Sequence, residues 1–164
     1  MQTNLESARR SDLQAFNRLV SAHQAQLYTF SFRALGDERS AAESVQAALR
    51  RAQGDRHQPE AARTKLWLLR WAVAACQERL RDPGAAAPRP GKNANHAREP
   101  RLQGGLCRLP ADLRLAVLLV DVTGLGYGEA AEVLGIAREQ VSQRVAEARA
   151  RLAADLAEGA APVS

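Results

Sequence analysis

The chain is predicted to be all-α: two small helical domains joined by a flexible linker, the C-terminal one a helix-turn-helix. Three observations carry this. Aromatic residues make up only 4% of 164 residues, while alanine and arginine abound, a balance that favours helices over sheets. Apolar residues recur at helical spacing in several stretches, and no strand pattern appears. The stretch 127–149, YGEAAEVLGIAREQVSQRVAEAR, reads as a helix, a sharp turn and a second helix.

Taken in order, Ser11 and Asp12 are placed to cap a helix carrying Leu13, Phe16, Leu19 and Val20. Leu27, Tyr28, Phe30, Phe32 and Leu35 continue the apolar pattern until Gly36 and Asp37 stop it. The next helix is expected from about Arg39 to Ala52, with a thin apolar side of Ala42, Val45, Ala48 and Leu49. A loop over 54–60 follows, and then a helix from about Ala62 to Arg81 carrying Leu66, Leu69, Trp71, Val73, Cys76 and Leu80. Residues 82–105 are rich in Pro, Gly, Ala and Asn without apolar periodicity and read as a flexible linker. Leu109 and Pro110 open a helix with Leu113, Ala116, Val117 and Val120 on its buried side. The expected division is a domain over 1–81, the linker over 82–105, a helix-turn-helix domain over 106–157 and a disordered tail over 158–164.

Within the C-terminal motif, Ala131 lies four residues before Gly135 and Val141 six after it. A small residue where two helices cross, a glycine at the turn and an apolar anchor under the second helix fit a helix-turn-helix. The same spacing fits a plain αα-hairpin, with Val133, Leu134, Ile136, Val141 and Val145 as ordinary core.

The net charge of +5 is uneven: residues 1–81 carry 13 basic and 8 acidic side chains, 82–108 carry 5 and 2, and 109–164 carry 5 and 8. Phosphate binding is driven by Lys and Arg, so the motif sits in the less favourable half. Its second helix nonetheless contains Arg138, Arg144, Arg149 and Arg151. Cys76 and Cys107 lack any paired spacing, and His23, His57 and His96 are scattered. No disulfide scaffold, metal site or cofactor is expected, and both thiols are expected to be buried. No Ser-His-Asp set, phosphate loop or paired-carboxylate site is recognisable, so an enzyme is not expected and no catalytic residue is assigned. No apolar run reaches a membrane span, and the expectation is a soluble, cytoplasmic protein.

Three stretches together resemble the extracytoplasmic-function sigma factors of bacterial RNA polymerase. SDLQAFNRLVSAHQAQLYTFSFRALGDERSAAESVQAAL looks like the opening of that family's promoter-melting domain. LWLLRWAVAACQERLR is similar to its W-L-x-R-x-A-x-x-x-C-x-D-x-x-R helix, and LPADLRLAVLLVDVTGLGYGEAAEVLGIAREQVSQRVAEARARL to its promoter-binding domain, which begins at a characteristic Leu-Pro. The match covers about 130 residues in the family's order, with a linker where the family has one.

The resemblance implies that the C-terminal domain reads a duplex −35 element. Arg138, Gln140, Ser142, Gln143 and Arg144 would face the groove, with Arg149 and Arg151 nearer phosphate. Arg and Gln suit this because their paired donors and acceptors match guanine and adenine edges. It implies that the N-terminal domain holds the polymerase clamp through Asp37, Glu43, Val45 and Gln46 and captures a base of the melted −10 strand. Stacking and cationic backbone contacts serve single strands, which marks Trp67, Arg70, Trp71, Arg79, Arg81 and the loop over 54–64. The plain alternative for Trp67 and Trp71 is core packing, four residues apart on one helix face. Core RNA polymerase, promoter DNA and an anti-sigma factor are the implied partners, with no membrane insertion.

The sequence departs from the family where contacts are expected. At the polymerase-binding helix, D-A-E-D-L-V-Q-E-T-F is replaced by SAAESVQAAL, which keeps Glu43, Val45 and Gln46. Val73 and Ala74 stand where an Arg-Asn pair is usual, Glu78 where aspartate is, and Ser142 where lysine is; Glu139 and Glu147 add negative charge near the expected DNA face. Two other readings therefore stand beside a promoter-selective sigma factor. One is a sigma-like module that binds another protein without productive transcription. The other is a helix-turn-helix repressor, which would need a dimer interface that no heptad supplies.

Overall fold

The computed structural model describes residues 2–82 and 100–159. The elements are α1 (Gln2–Leu35), α2 (Glu38–Gly54), a 3-10 turn (Ala61–Arg63), α3 (Thr64–Arg81), α4 (Pro100–Arg108), α5 (Ala111–Asp121), α6 (Tyr127–Leu134) and α7 (Arg138–Gly159). Residues 83–99 of the expected linker and 160–164 of the expected tail lie outside the described residues.

No cap forms at Ser11 and Asp12; both lie inside α1. With no Gly or Pro before Gly36, nothing breaks the helix, and Phe16, Val20, Leu27, Phe30 and Ala34 turn to one buried side further along. Gly36, at φ 74°, then ends α1 in the left-handed conformation that other residues resist. Asp37 caps α2, its carboxylate accepting the Ser40 N–H at 2.8 Å. Ser40, through its side chain first and then this backbone N–H, holds the Asp37 carboxyl below its ordinary pKa.

In the N-terminal lobe, α1, α2 and α3 pack around Phe30, Leu27, Val45, Leu68, Leu69 and Cys76. Burial pushes the Cys76 thiol up to about 11. Cys107 is only half-buried, because its place on α4 leaves one side open.

Residues 100–105 belong to α4 rather than to an open linker. Leu102 and Leu106 provide its inward side, and Gly105 lets it approach α7 closely: a Cβ there would lie 3.0 Å from Leu152 Cδ2. The second lobe, α4 to α7, closes on Leu113, Leu115, Leu118, Leu119, Ala130, Val141, Val145 and Leu152. Gly135, at φ 66°, makes the turn between α6 and α7.

The lobes are docked. Helix α1 packs on α4 and α5, and α3 packs on α6. Arg114 of α5, only 6% exposed, donates to Ala34 O at the end of α1 (2.7 Å) and to Cys107 O and Leu109 O at the end of α4 (2.6 and 2.8 Å). These carbonyls lie at helix C-termini, where no intrahelical donor remains and the helix dipole is negative. Around this bolt, Gln26 and Lys65 both donate to Thr123 O, at 3.2 and 2.6 Å, and Arg33 donates to Gln103 Oε1 at 3.2 Å. Arg63 of the 3-10 turn pairs with Glu132 of α6.

Candidate nucleic-acid interface

The helix-turn-helix follows from local chemistry. Glu129 reaches back to accept the Gly126 N–H at 3.0 Å and caps α6. At the start of α7, Gln140 Oε1 accepts the Ala137 N–H at 3.0 Å, the reciprocal arm of a capping box. Gln140 therefore has a structural task beside the groove contact expected of it. Ala131 is buried at the helix crossing, and Val141 is fully buried beneath α7.

The expected −35 residues divide by their partners. Arg138, Ser142 and Gln143 are exposed on the first turns of α7. Arg144 is 30% exposed and lies 3.8 Å from Asp112 of α5. Arg149 grips Asp121 of α5 with both Nε and Nη2, at 3.1 and 2.6 Å. That double hydrogen bond raises the Arg149 pKa. Arg151 pairs with Glu147 along the helix. Two arginines marked for DNA thus also tie α7 to α5, and spacing alone gave no sign of it.

On α3, Trp67, Arg70 and Trp71 come together along a cleft of about 340 Å³, whose far wall includes Val133 and Leu134 of α6. Trp67 is half-buried, stands edge-on to Phe16 at 6.4 Å and donates its Nε1–H to Asp55 at 3.0 Å. Asp55 also accepts the His57 N–H at 3.0 Å, so the loop over 54–64 is organised around one carboxylate. The His57 hydrogen bond first, and then Trp67, hold that carboxyl below its ordinary pKa. Trp71 is half-buried, and its buried Nε1 has no hydrogen-bond partner.

Arg79 and Arg81 do not join this group. Arg79 turns to the other side of α3 and pairs with Glu43 of α2, a link between a residue expected at DNA and one expected at polymerase. Arg81 is exposed at the end of α3. Glu43 also accepts from Arg39 at 3.0 Å, and these two arginines, Arg39 first, lower its pKa. Val45 is buried, and Gln46 lines the groove between α1 and α2 together with Tyr28, Ala42 and Leu49. Asp37 is occupied as the α2 cap. Val73, in the place of an expected polar residue, is 2% exposed and belongs to the core.

Sequence reasoning missed the inter-lobe residues Arg63, Lys65, Arg114 and Thr123. Their partners lie 58 to 80 residues away or are backbone carbonyls, and neither leaves a periodic signal. Among the described residues, no helix is long and apolar enough to cross a membrane, and no cluster of His, Cys, Asp and Glu could hold a metal ion.

A capped helix-turn-helix with an open second helix is thus docked on a helical lobe bearing a tryptophan–arginine face. Sigma-70 region 2 matches residues 19–85, and sigma-70 region 4 matches residues 101–152. The ECF RNA polymerase sigma factor SigM from two strains of Mycobacterium tuberculosis is 32% identical over 151 residues, covering 87% of this chain and 77% of that protein. The structure of CnrH in complex with the cytosolic domain of CnrY aligns with a TM-score of 0.68 at 25% identity, over 91% of each chain. The sigma factor RpoE from Bartonella quintana, solved with the anti-sigma factor NepR, shares the fold with a TM-score of 0.65 at 21% identity, over 90% of this chain and 97% of that one. The chain belongs to the extracytoplasmic-function sigma factors of RNA polymerase, and its general role is in transcription initiation.

Proposed function

We propose that this sigma factor directs core RNA polymerase to promoters through two DNA surfaces, α7 for the −35 duplex and the α3 face for the −10 single strand. The observation that carries the reading is the gathering of Trp67, Arg70 and Trp71 along one cleft. Rings for stacking and a cation for the backbone are what single-strand capture requires. Arg138, Ser142 and Gln143 are the open polar groups at the start of α7, where recognition helices meet bases. Arg144, Arg149 and Gln140 hold α7 in place and meet DNA at its edges.

The α1–α2 groove with Gln46 and Leu49 is the proposed seat of the polymerase clamp, bordered by the Arg79–Glu43 pair. The two surfaces act on one promoter, so that each works at high effective concentration once the other is bound. An anti-sigma factor is the remaining proposed partner; CnrH, similar over 91% of its length, was solved with the cytosolic domain of another protein. Work beside polymerase places the protein in the cytoplasm.

Run-off transcription with core polymerase and a genomic promoter pool tests this reading. Promoter-specific transcripts that require the protein are expected, and Trp67→Ala should abolish them while leaving polymerase binding in place. Polymerase binding without any transcript would instead favour a sigma-like protein-binding module.

A further inference from the structure

Trp67, Arg70, Trp71, Ala74 and Gln77 lie at helical spacing on one side of α3. Opposite them stand Val133 and Leu134 of α6, so the cleft of about 340 Å³ is walled by both lobes. Cavities of a few hundred Å³ between packed domains, lined by rings and aliphatic groups with few polar atoms, are the usual form of small-molecule sites. The charges around this one are mostly matched. Asp55 accepts from His57 and Trp67, and Arg63, in the adjoining hollow, pairs with Glu132. Arg70 is exposed and makes no ion pair or side-chain hydrogen bond among the described residues. Trp71 Nε1 is buried without an acceptor, a state in which few buried donors are left.

We propose that this inter-lobe cleft binds a small aromatic carboxylate of two fused rings, which holds the lobes docked and keeps single-stranded DNA from α3. Its regulatory effect rests on the proposed −10 role of that helix. Flat rings pack against the indoles of Trp67 and Trp71 in stacked or edge-on contact, and Val133 and Leu134 cover them from α6. The Arg70 guanidinium donates to both carboxylate oxygens, a planar match that a lone ammonium does not offer. One negative charge meets one open cation. A phosphate monoester would bring nearly two charges beside Asp55 and Glu132, and a neutral ring system would leave Arg70 partly desolvated and unpaired. Because the ligand touches both lobes, it binds the docked state preferentially and shifts the population toward it. A DNA strand needs the same rings, so the two compete.

The test titrates 2-naphthoate into the full chain by calorimetry, beside the neutral 2-naphthalenemethanol, with folding checked by circular dichroism. The acid should bind saturably and roughly tenfold more tightly than the alcohol. Arg70→Gln should weaken it about tenfold, and Leu134→Ser, on the α6 wall, about fivefold. A labelled single-stranded −10 oligonucleotide should be displaced by naphthoate and should lose affinity with Arg70→Gln but not with Leu134→Ser. Equal binding of acid and alcohol, or naphthoate binding indifferent to both substitutions, would overturn the proposal. Oligonucleotide binding without naphthoate binding sinks it too and leaves the −10 reading standing. Naphthoate binding with no oligonucleotide binding sinks the −10 reading and leaves the ligand site.

Discussion

Helix α3 turns Trp67, Arg70 and Trp71 toward a cleft that Val133 and Leu134 close on one side, whereas α7 turns Glu139, Gln143 and Ala146 to open solvent. The first surface is concave and aromatic; the second is convex and polar. Each form suits a different state of DNA. A single strand must be seated between rings, while a duplex groove admits a bare helix. The buried sides differ as well. Helix α7 rests on aliphatic Val141, Val145, Ala148 and Leu152, whereas α3 buries an ionisable thiol at Cys76.

The strongest way to break this contrast is to free α3 from its neighbour. Arg114→Ala removes three hydrogen bonds to backbone carbonyls, the one to Ala34 O crossing between the lobes, and should cost about 3 kcal/mol, read by urea unfolding. If the bolt holds the lobes together, small-angle scattering of the variant should show a larger radius, and a labelled single-stranded −10 oligonucleotide should bind more tightly. An unchanged radius would mean that the apolar contacts of α1 with α5 suffice.

Alkaline titration separates the lobes more gently. A thiol raised from 9.0 to about 11 contributes stability that is fully present below pH 9 and lost as pH rises through 11. The loss amounts to about 2–3 kcal/mol. Both tryptophans lie on α3, so their fluorescence follows the N-terminal lobe. Cys76→Ala should remove the thiol's share of this pH dependence and leave that of Tyr28, whose hydroxyl pKa burial also raises.

Trp67→Ala should cost the N-terminal lobe about 2 kcal/mol through its contacts with Phe16 and Asp55. Duplex −35 affinity should stay as it was, and a parallel fall in both would mean that the surfaces are not independent. The smallest effect belongs to the exposed Arg63–Glu132 pair. A double-mutant cycle should give a coupling of about 0.5 kcal/mol, falling with added salt.

The helix-turn-helix was legible because its signals are local: Ala131 at the crossing, Gly135 at the turn and Val141 beneath. Trp67, Arg70 and Trp71 were marked by the family resemblance and not by a local signal, and their spacing within five positions of one helix brings them to one cleft. Where the reading went wrong, a local signal was outweighed. Ser11 and Asp12 have cap chemistry, but a helix already running through them needs no start. Gly104 and Gly105 read as linker, yet Gly105 is the close-packing point of α4 on α7. Arg79 illustrates a different limit. Its family position suggested DNA, but its position on the α3 helix turns it to Glu43. The docking of the lobes had no sequence signature, since Arg114 recognises carbonyls that every residue possesses.

The first part of α1 carries one more consequence. Residues 4–15 are exposed on all sides, including Leu5 at 64% and Leu13 at 44%. About 18 Å of single helix therefore extends beyond the packed body. The packed half of α1 supplies the nucleus that an isolated peptide lacks, and only propagation governs the overhang. Such a segment frays one residue at a time, with no latent heat and no midpoint of its own. On warming, far-ultraviolet ellipticity should drift downward well before the cooperative transition, while tryptophan emission stays level until the core gives way.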